Sequence, residues 1–258
     1  TRRSSDLSWH SGIAALQVNP EDGKPLNALG NPWDITGEDN SGYGKIIATR
    51  GTSRWQASEG PEVIYRDGYY YLFLAYGSLS VEYNTRVCRS RNIDGPYVDI
   101  HGNSAMGSAQ LYPILTAPYR FDNSYGWVGI SHCGIFDDGA GNWFYTSQGR
   151  FPVNVGGNEY SNAIMMGHVR SIRWDANGWP LVMPERYGAV PQAPITENEI
   201  AGDWEHLALT NNTGTQRTSE TMTYDLDTHK ITSGSWKNAT WTFDAATQTI
   251  TTSAGVVL

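Results

Sequence analysis

An all-β chain is expected, on three observations. Aromatic and β-branched residues gather in short runs, of which Tyr69-Tyr70-Tyr71-Leu72-Phe73-Leu74-Ala75-Tyr76 is the densest. Acidic–glycine pairs, Asp67-Gly68 and Asp138-Gly139, separate such runs at hairpin spacing. The chain carries 28 Gly, 10 Trp and 15 Tyr in 258 residues, a composition suited to many tight turns between short strands.

Taken in order, residues 1–7 are polar and carry no signal-peptide pattern. Ser8 to Ile13 lead into Ala14–Val18, and Pro20–Leu26 is a turn cluster. Residues 27–52 are rich in Gly, Asn and Asp, with a short strand near Ile46–Ala48. Ser58-Glu59-Gly60-Pro61 reads as a short turn, and Val63–Tyr65, Asp67-Gly68 and Tyr69–Tyr76 then make a hairpin. Residues 99–112 and 117–126 read as loops around the apolar run Tyr112–Leu115. A second hairpin is expected from Trp127–Phe136, an acidic turn at 137–142, and Trp143–Ser147. Residues 163–173 form another strand, with a turn at Asp175–Gly178. Pro191–Pro194 reads as a linker, and from Ile200 threonine becomes abundant. Gly202–Leu207, Glu220–Leu226, Ser235–Phe243 and Gln248–Thr252 then alternate apolar and polar residues, as a small antiparallel barrel or sandwich does. The expected division is 1–188, a linker at 189–199, and an accessory β-domain at 200–258.

Charge and cysteine content narrow the function classes. A formal net charge of −8 disfavours a nucleic-acid partner, which needs a basic face. No run of about 18 apolar residues is present to cross a membrane as a helix. Two cysteines, Cys88 and Cys133, exclude a disulfide framework; they make one bridge or two buried thiols.

Glu59 is the candidate for chemistry. Gly60 and Pro61 follow it and restrict the backbone, giving the carboxyl a defined direction. A carboxyl set among Trp and Tyr faces resists ionisation, which suits a general acid near neutral pH. The same position would serve a glutamate that caps a loop or pairs with a cation. His132 reads on its own as a hydrogen-bonded core histidine. The Asp137-Asp138-Gly139 stretch lacks the spacing of a calcium loop and reads as a hairpin turn.

Larger motifs change the weighting. Arg54-Trp55-x-Ala57-x-Glu59-Gly60-Pro61, the Asp67–Phe73 hairpin, and Arg89–Tyr97 with its Ile-x-Gly-Pro-Tyr ending together resemble the arabinanases of glycoside hydrolase family 43. His168-Val169-Arg170 through Trp179-Pro180 to Pro184-Glu185-Arg186-Tyr187 resembles the closing strand pair of the same catalytic domain. The resemblance implies the later blades of a five-bladed β-propeller, followed by a small antiparallel β-barrel or sandwich. It puts the general acid of an inverting, α-1,5-arabinan-cleaving reaction on Glu59. It puts substrate contacts on Ser8, Trp9 and the approach residue Trp55. It also places a calcium ion, held largely by water, beside His132, where Ser131 and Cys133 replace the usual neighbours. The family's other two catalytic carboxylates belong to motifs upstream of Ser8, and no segment here matches them. An N-terminal fragment of the same protein, docked as a separate chain, is therefore expected to supply them. The resemblance further implies an extracellular or periplasmic setting. A carbohydrate-binding propeller without catalysis, or a related xylosidase or arabinofuranosidase, are the alternatives.

Overall fold

The computed structural model describes residues 12–26, 44–51, 58–190, 193–209, 211–256 and 258. The described chain is almost entirely β and divides into two compact units. The first comprises Thr1–Pro118, Trp127–Tyr187 and Thr210–Thr215. The second comprises Tyr119–Gly126, Gly188–Leu209 and Gln216–Leu258.

The first unit opens with strands β1 (Ile13–Ala15) and β2 (Lys45–Ala48), paired antiparallel. Strands β3 (Ser58–Arg66), β4 (Tyr69–Tyr76) and β5 (Asn84–Ser90) form an antiparallel meander, the kind of sheet from which propeller blades are built. The expected hairpin is present, with Arg66 opposite Tyr69 across a two-residue turn. Asp67 and Gly68 both take left-handed backbone angles, φ 49° and 82°, as a turn matched to strand twist requires. Strand β4 is apolar over its length because both of its faces are covered: Tyr71 to Tyr76 are all buried. Ile13, Ile47, Leu72, Leu74, Tyr76, Cys88, Tyr97 and Leu111 form one core cluster there.

One expectation about this blade needs correcting. Ser58–Pro61 is the first part of β3 rather than a turn. The chain registers Glu59 with Ala75 and Glu62 with Phe73, so one extra residue is absorbed between them. Gly60, at φ 55°, absorbs it as a β-bulge. A bulge keeps the strand paired on both sides while re-aiming one side chain, which a Gly-Pro pair alone does not reveal.

The second blade follows β6 (Tyr119–Arg120), which is taken up below, and comprises β7 (Val128–Asp137), β8 (Trp143–Arg150), β9 (Met165–Trp174) and β10 (Pro180–Val182). The acidic turn between β7 and β8 satisfies itself: Asp138 accepts from the Ala140 and Asn142 amides and from the Asn142 side chain. Those bonds, led by the Asn142 side chain, hold the Asp138 carboxyl below its usual range. The two blades are clasped through the β9–β10 turn. Tyr71 Oη donates to the Gly178 carbonyl at 2.6 Å, and Arg89 Nη1 donates to the Asn177 carbonyl at 2.8 Å. The Arg89 guanidinium lies over the Trp179 and Tyr69 rings at 4.2 and 4.4 Å.

Residues 99–112 lack regular strands but are organised around a buried charge. Asp99, 2% exposed, accepts from the backbone amides of His101, Asn103 and Tyr112 and from the Asn103 side chain. Four donors compensate for the desolvation of that carboxylate.

The second unit contains a short helix, α1 (Glu197–Ile200), whose Thr196 hydroxyl and amide both bond Glu199. Strand β11 (Gly202–His206) pairs with β13 (Glu220–Asp225), and β13 pairs with β14 (Lys230–Ile231). Between β11 and β13 lies β12 (Arg217–Thr218); at the end, β15 (Trp241–Asp244) and β16 (Thr249–Thr252) form a hairpin. Ile200, Met222, Tyr224, Ile231 and Trp241 make the core. Two readings of the sequence fail here. Ser235–Phe243 is not one strand, because Gly234 and Asn238 adopt φ 80° and 76° and bend the chain ahead of β15. Residues 117–126 are not merely a loop, because β6 pairs in parallel with β12 and belongs to this second unit. Gln216 Nε2 donates to the Tyr119 and Tyr125 carbonyls, and the Asp122 amide donates to Glu205 and Ser219.

Replacing the buried Asp99 with alanine would remove the shared acceptor of three amides and one side-chain donor. Destabilisation of the first unit by about 3 kcal/mol is expected in urea unfolding, against less than about 0.5 kcal/mol for an exposed position such as Asp67→Asn.

Candidate functional site

Three side chains from three strands or their edges converge. Glu59 comes from the bulged start of β3, Tyr83 from the residue before β5, and His132 from the middle of β7. Tyr83, 1% exposed, donates its phenolic hydrogen to Glu59 Oε1 in a very short hydrogen bond. Tyr83 Oη also lies 3.0 Å from His132 Nδ1. Glu59 Oε1 and His132 Nδ1 are 3.8 Å apart. The carboxylate is mostly covered, with 20% of its side chain exposed, whereas 47% of the His132 side chain is exposed. The Tyr83 phenol is held well above its ordinary pKa, first by burial and then by the hydrogen bond and negative charge of Glu59. It stays a protonated donor at any pH the protein would meet.

Local backbone geometry delivers His132 to this place. Strand β7 registers Val128 with Arg150, Ser131 with Gln148, and Gly134 with Thr146, so it carries one extra residue in each interval. Gly129 and His132 sit in those intervals with φ 61° and 60°. A left-handed histidine costs about 1–2 kcal/mol relative to an extended one, so the surroundings must hold it. They do so through buried hydroxyls. Thr85 Oγ1 lies 2.9 Å from Ser131 Oγ and 2.7 Å from Tyr145 Oη. Thr116 Oγ1 donates to the Ile130 carbonyl at 2.6 Å and accepts from the Thr85 amide at 2.9 Å. β7 is thereby tied to β5 at the two residues preceding His132.

Gly60 has a steric role beside its conformational one. A Cβ at this position would lie 3.1–3.3 Å from three atoms of the His132 ring. The Glu-Gly-Pro order therefore sets the carboxylate, permits the bulge and leaves room for the imidazole.

Of the residues predicted for the site, Glu59 and His132 come together, while Ser8, Trp9 and Trp55 lie outside the described residues. Tyr83 was not singled out in the sequence. It is one tyrosine of 15, and only its place one residue before a strand that packs beside β7 gives it a role. Among the described residues, no group of three or more His, Cys, Asp or Glu side chains is arranged to hold a metal ion. Cys88 and Cys133 are unbridged and buried. Burial lifts the Cys88 thiol far above its ordinary pKa, so it packs as a small apolar group.

A second histidine, two strands away in the same sheet, is structural. His168, on β9, is 3% exposed, with Nδ1 3.0 Å from Arg170 Nη2 and its ring 4.1 Å from the Trp127 ring. Its Nε2 is buried without a hydrogen-bond partner. Burial, then repulsion from the Arg170 and Arg186 guanidiniums, pulls its pKa from 6.5 down to about 4.

Comparison with known proteins bears on this geometry. Residues 19–180 match the family described as glycosyl hydrolases family 43, and residues 184–257 match a C-terminal lipocalin-like domain. Over 220 residues the chain is 30% identical to an extracellular endo-α-(1→5)-L-arabinanase 2 of Bacillus subtilis (strain 168), covering 77% of this chain and 42% of that protein. It is 30% identical over 219 residues to an extracellular endo-α-(1→5)-L-arabinanase of Thermotoga petrophila, covering 78% and 42% respectively. The crystal structure of an endo-1,5-α-L-arabinanase from T. petrophila RKU-1 in complex with Tris superposes with a TM-score of 0.75 at 26% identity, over 97% of this chain and 55% of that one. A family 43 glycoside hydrolase from Bacillus licheniformis superposes with a TM-score of 0.73 at 26% identity, over 95% and 54%. The chain thus spans less than half the length of the curated relatives it matches.

The buried His168 gives a pH test of the fold around the site. Its folded pKa lies below its unfolded one, so the unfolded chain takes up the proton first as pH falls. The stability tied to its neutral form is complete above pH 6.5 and is lost between about pH 6.5 and 4. At most about 3 kcal/mol is involved. Urea unfolding across that range should show a shallower slope in His168→Gln than in the wild type.

Proposed function

The chain belongs to glycosyl hydrolase family 43, and we propose that it carries the proton-donating side of an arabinan-cleaving active site. The single observation behind this reading is the Glu59 carboxyl, mostly enclosed, held by a hydrogen bond from Tyr83 beside His132 at the meeting of two bulged strands. Relatives named as extracellular endo-arabinanases support the substrate class and a secreted setting.

In the proposed reaction Glu59, protonated, gives its proton to the oxygen leaving the arabinosyl carbon. Inverting hydrolysis then needs a second carboxylate about 6.5–9.5 Å away, to activate a water on the opposite face of the sugar. No segment of the chain matches the family's aspartate motifs. The base and the aspartate that tunes the acid are therefore proposed to come from sequence outside these 258 residues. The relatives' greater length leaves room for that sequence within one polypeptide, and nothing favours a separate chain. A non-catalytic arabinan-binding propeller is the second reading.

A calcium ion is proposed beside His132. The described residues offer it one imidazole nitrogen, a soft partner for an ion that prefers oxygen, so the donor set fits only a cation held mostly by water. When bound, it would add positive charge to the site's floor. Calorimetric titration should detect weak calcium binding that His132→Ala abolishes; unchanged affinity in that variant places the ion elsewhere.

In the enzyme containing this chain, Glu59→Gln should lower the rate of arabinan hydrolysis by about 10²- to 10⁴-fold, while arabino-oligosaccharide affinity stays within a few fold. Loss of binding with activity intact would remove Glu59 from the donor role. Binding by a wild-type protein that never hydrolyses arabinan would select the second reading.

A further inference from the structure

The Tyr83 hydroxyl sits between two partners and has one hydrogen to give. Its oxygen bonds both Glu59 Oε1 and His132 Nδ1. With the imidazole neutral, only two hydrogen placements satisfy both contacts. In the first, Tyr83 donates to Glu59 Oε1, so the contact with His132 requires Nδ1 to donate to the Tyr83 oxygen. The imidazole is then the Nδ1–H tautomer, and its Nε2 carries a free lone pair. In the second, Glu59 carries its proton on Oε1 and donates it to Tyr83, Tyr83 donates to Nδ1, and the imidazole is the Nε2–H tautomer.

The two placements differ in what Glu59 can do. A proton on Oε1 is tied up by Tyr83 and turned away from any substrate. A proton on Oε2, an oxygen that no described side chain bonds, is available for transfer. Resting on the reading of Glu59 as proton donor, we propose that Tyr83 is a positioning residue that keeps Oε1 as an acceptor, confines the transferable proton to Oε2, and fixes His132 as its Nδ1–H tautomer. Proton bookkeeping is conserved throughout: the phenol and the imidazole keep their hydrogens, and only Oε2 gains or loses a proton.

The surroundings favour this order. Tyr83 is fully buried and cannot rotate its hydroxyl into water, so its hydrogen goes to one of two neighbours. With Oε2 deprotonated, the ionised carboxylate is a stronger acceptor than a neutral imidazole, and Tyr83 donates to its Oε1. The His132 ring faces Gly60 on the β3 side, closely enough that an added Cβ there would lie 3.1–3.3 Å from three of its atoms. Anything that occupies Nε2 as an acceptor, whether a water hydrogen or a cation, reinforces the same tautomer and hence the same oxygen assignment.

Long-range ¹H–¹⁵N correlation spectra of the imidazole test this directly, at a pH where His132 is neutral. The wild-type protein should show Nδ1 protonated and Nε2 bare. Glu59→Leu removes the acceptor, so Tyr83 should turn its hydrogen to Nδ1 and the spectrum should reverse to the Nε2–H pattern. Tyr83→Phe should lose the wild-type bias, and in the active enzyme it should lower kcat about 10- to 100-fold with KM within about twofold. A wild-type Nε2–H pattern, or a wild-type pattern that survives in Glu59→Leu, overturns the proposal. Should Tyr83→Phe fail to fold, the Glu59→Leu spectrum decides alone. If the wild-type enzyme does not hydrolyse arabinan, the donor role of Glu59 fails, and the tautomer still decides the order of hydrogen bonds.

Discussion

The closeness of Gly60 to the His132 ring is the constraint on which the site depends. A methyl group at Gly60 would press on the imidazole, and both residues occupy the left-handed backbone region. Neither strand could reach this arrangement in regular pleat, so each carries a bulge at the contact. The bulges would be free to relax if nothing behind them were fixed. The buried Thr85, Ser131, Tyr145 and Thr116 hydroxyls supply that fixity, bonding one another and the β7 backbone rather than water. Local strain at the front is thus supported by a satisfied polar layer behind it.

Sequence alone carried the strand and turn pattern well, because it is local chemistry. Asp67-Gly68 supplies the backbone angles of a two-residue turn, and Tyr69–Tyr76 could only be a covered strand. Glu59 was legible because glycine and proline beside a carboxyl are informative in the company of the larger motif. Its seat within a strand was not, because a bulge is a mismatch between two strands and leaves no mark in one. Tyr83 was silent for a related reason. Its role is set by what β3 of its own sheet and β7 of the next bring to it, and nothing near Val81-Glu82-Tyr83-Asn84 announces it. Strand β6 was invisible on similar grounds, since its partner lies nearly a hundred residues later.

The inter-blade clasp shows the same division between local and distant information. The turn at Asp175–Gly178 was read from its composition. Its carbonyls proved to be acceptors for Tyr71 and Arg89, two residues of the preceding blade. These two blades are separate sheets, so side-chain contacts of this kind join them rather than hydrogen bonds from strand to strand. Here the contact is a tyrosine hydroxyl and a guanidinium stacked between rings, a combination that directs as well as attracts.

Strand β6 has a consequence for the modularity of the protein. The lipocalin-like segment reads as a separable tail, matched over residues 184–257. Yet the folded unit that contains it also takes in Tyr119–Gly126, contributed by the chain ahead of β7. No single cut releases this unit whole. A tail excised after Tyr187 leaves behind the strand that pairs with Arg217 and Thr218, and exposes their edge to any other extended peptide. Shuffling this tail between proteins by recombination would require carrying two pieces of gene at once, so the two parts of the chain are expected to be inherited together.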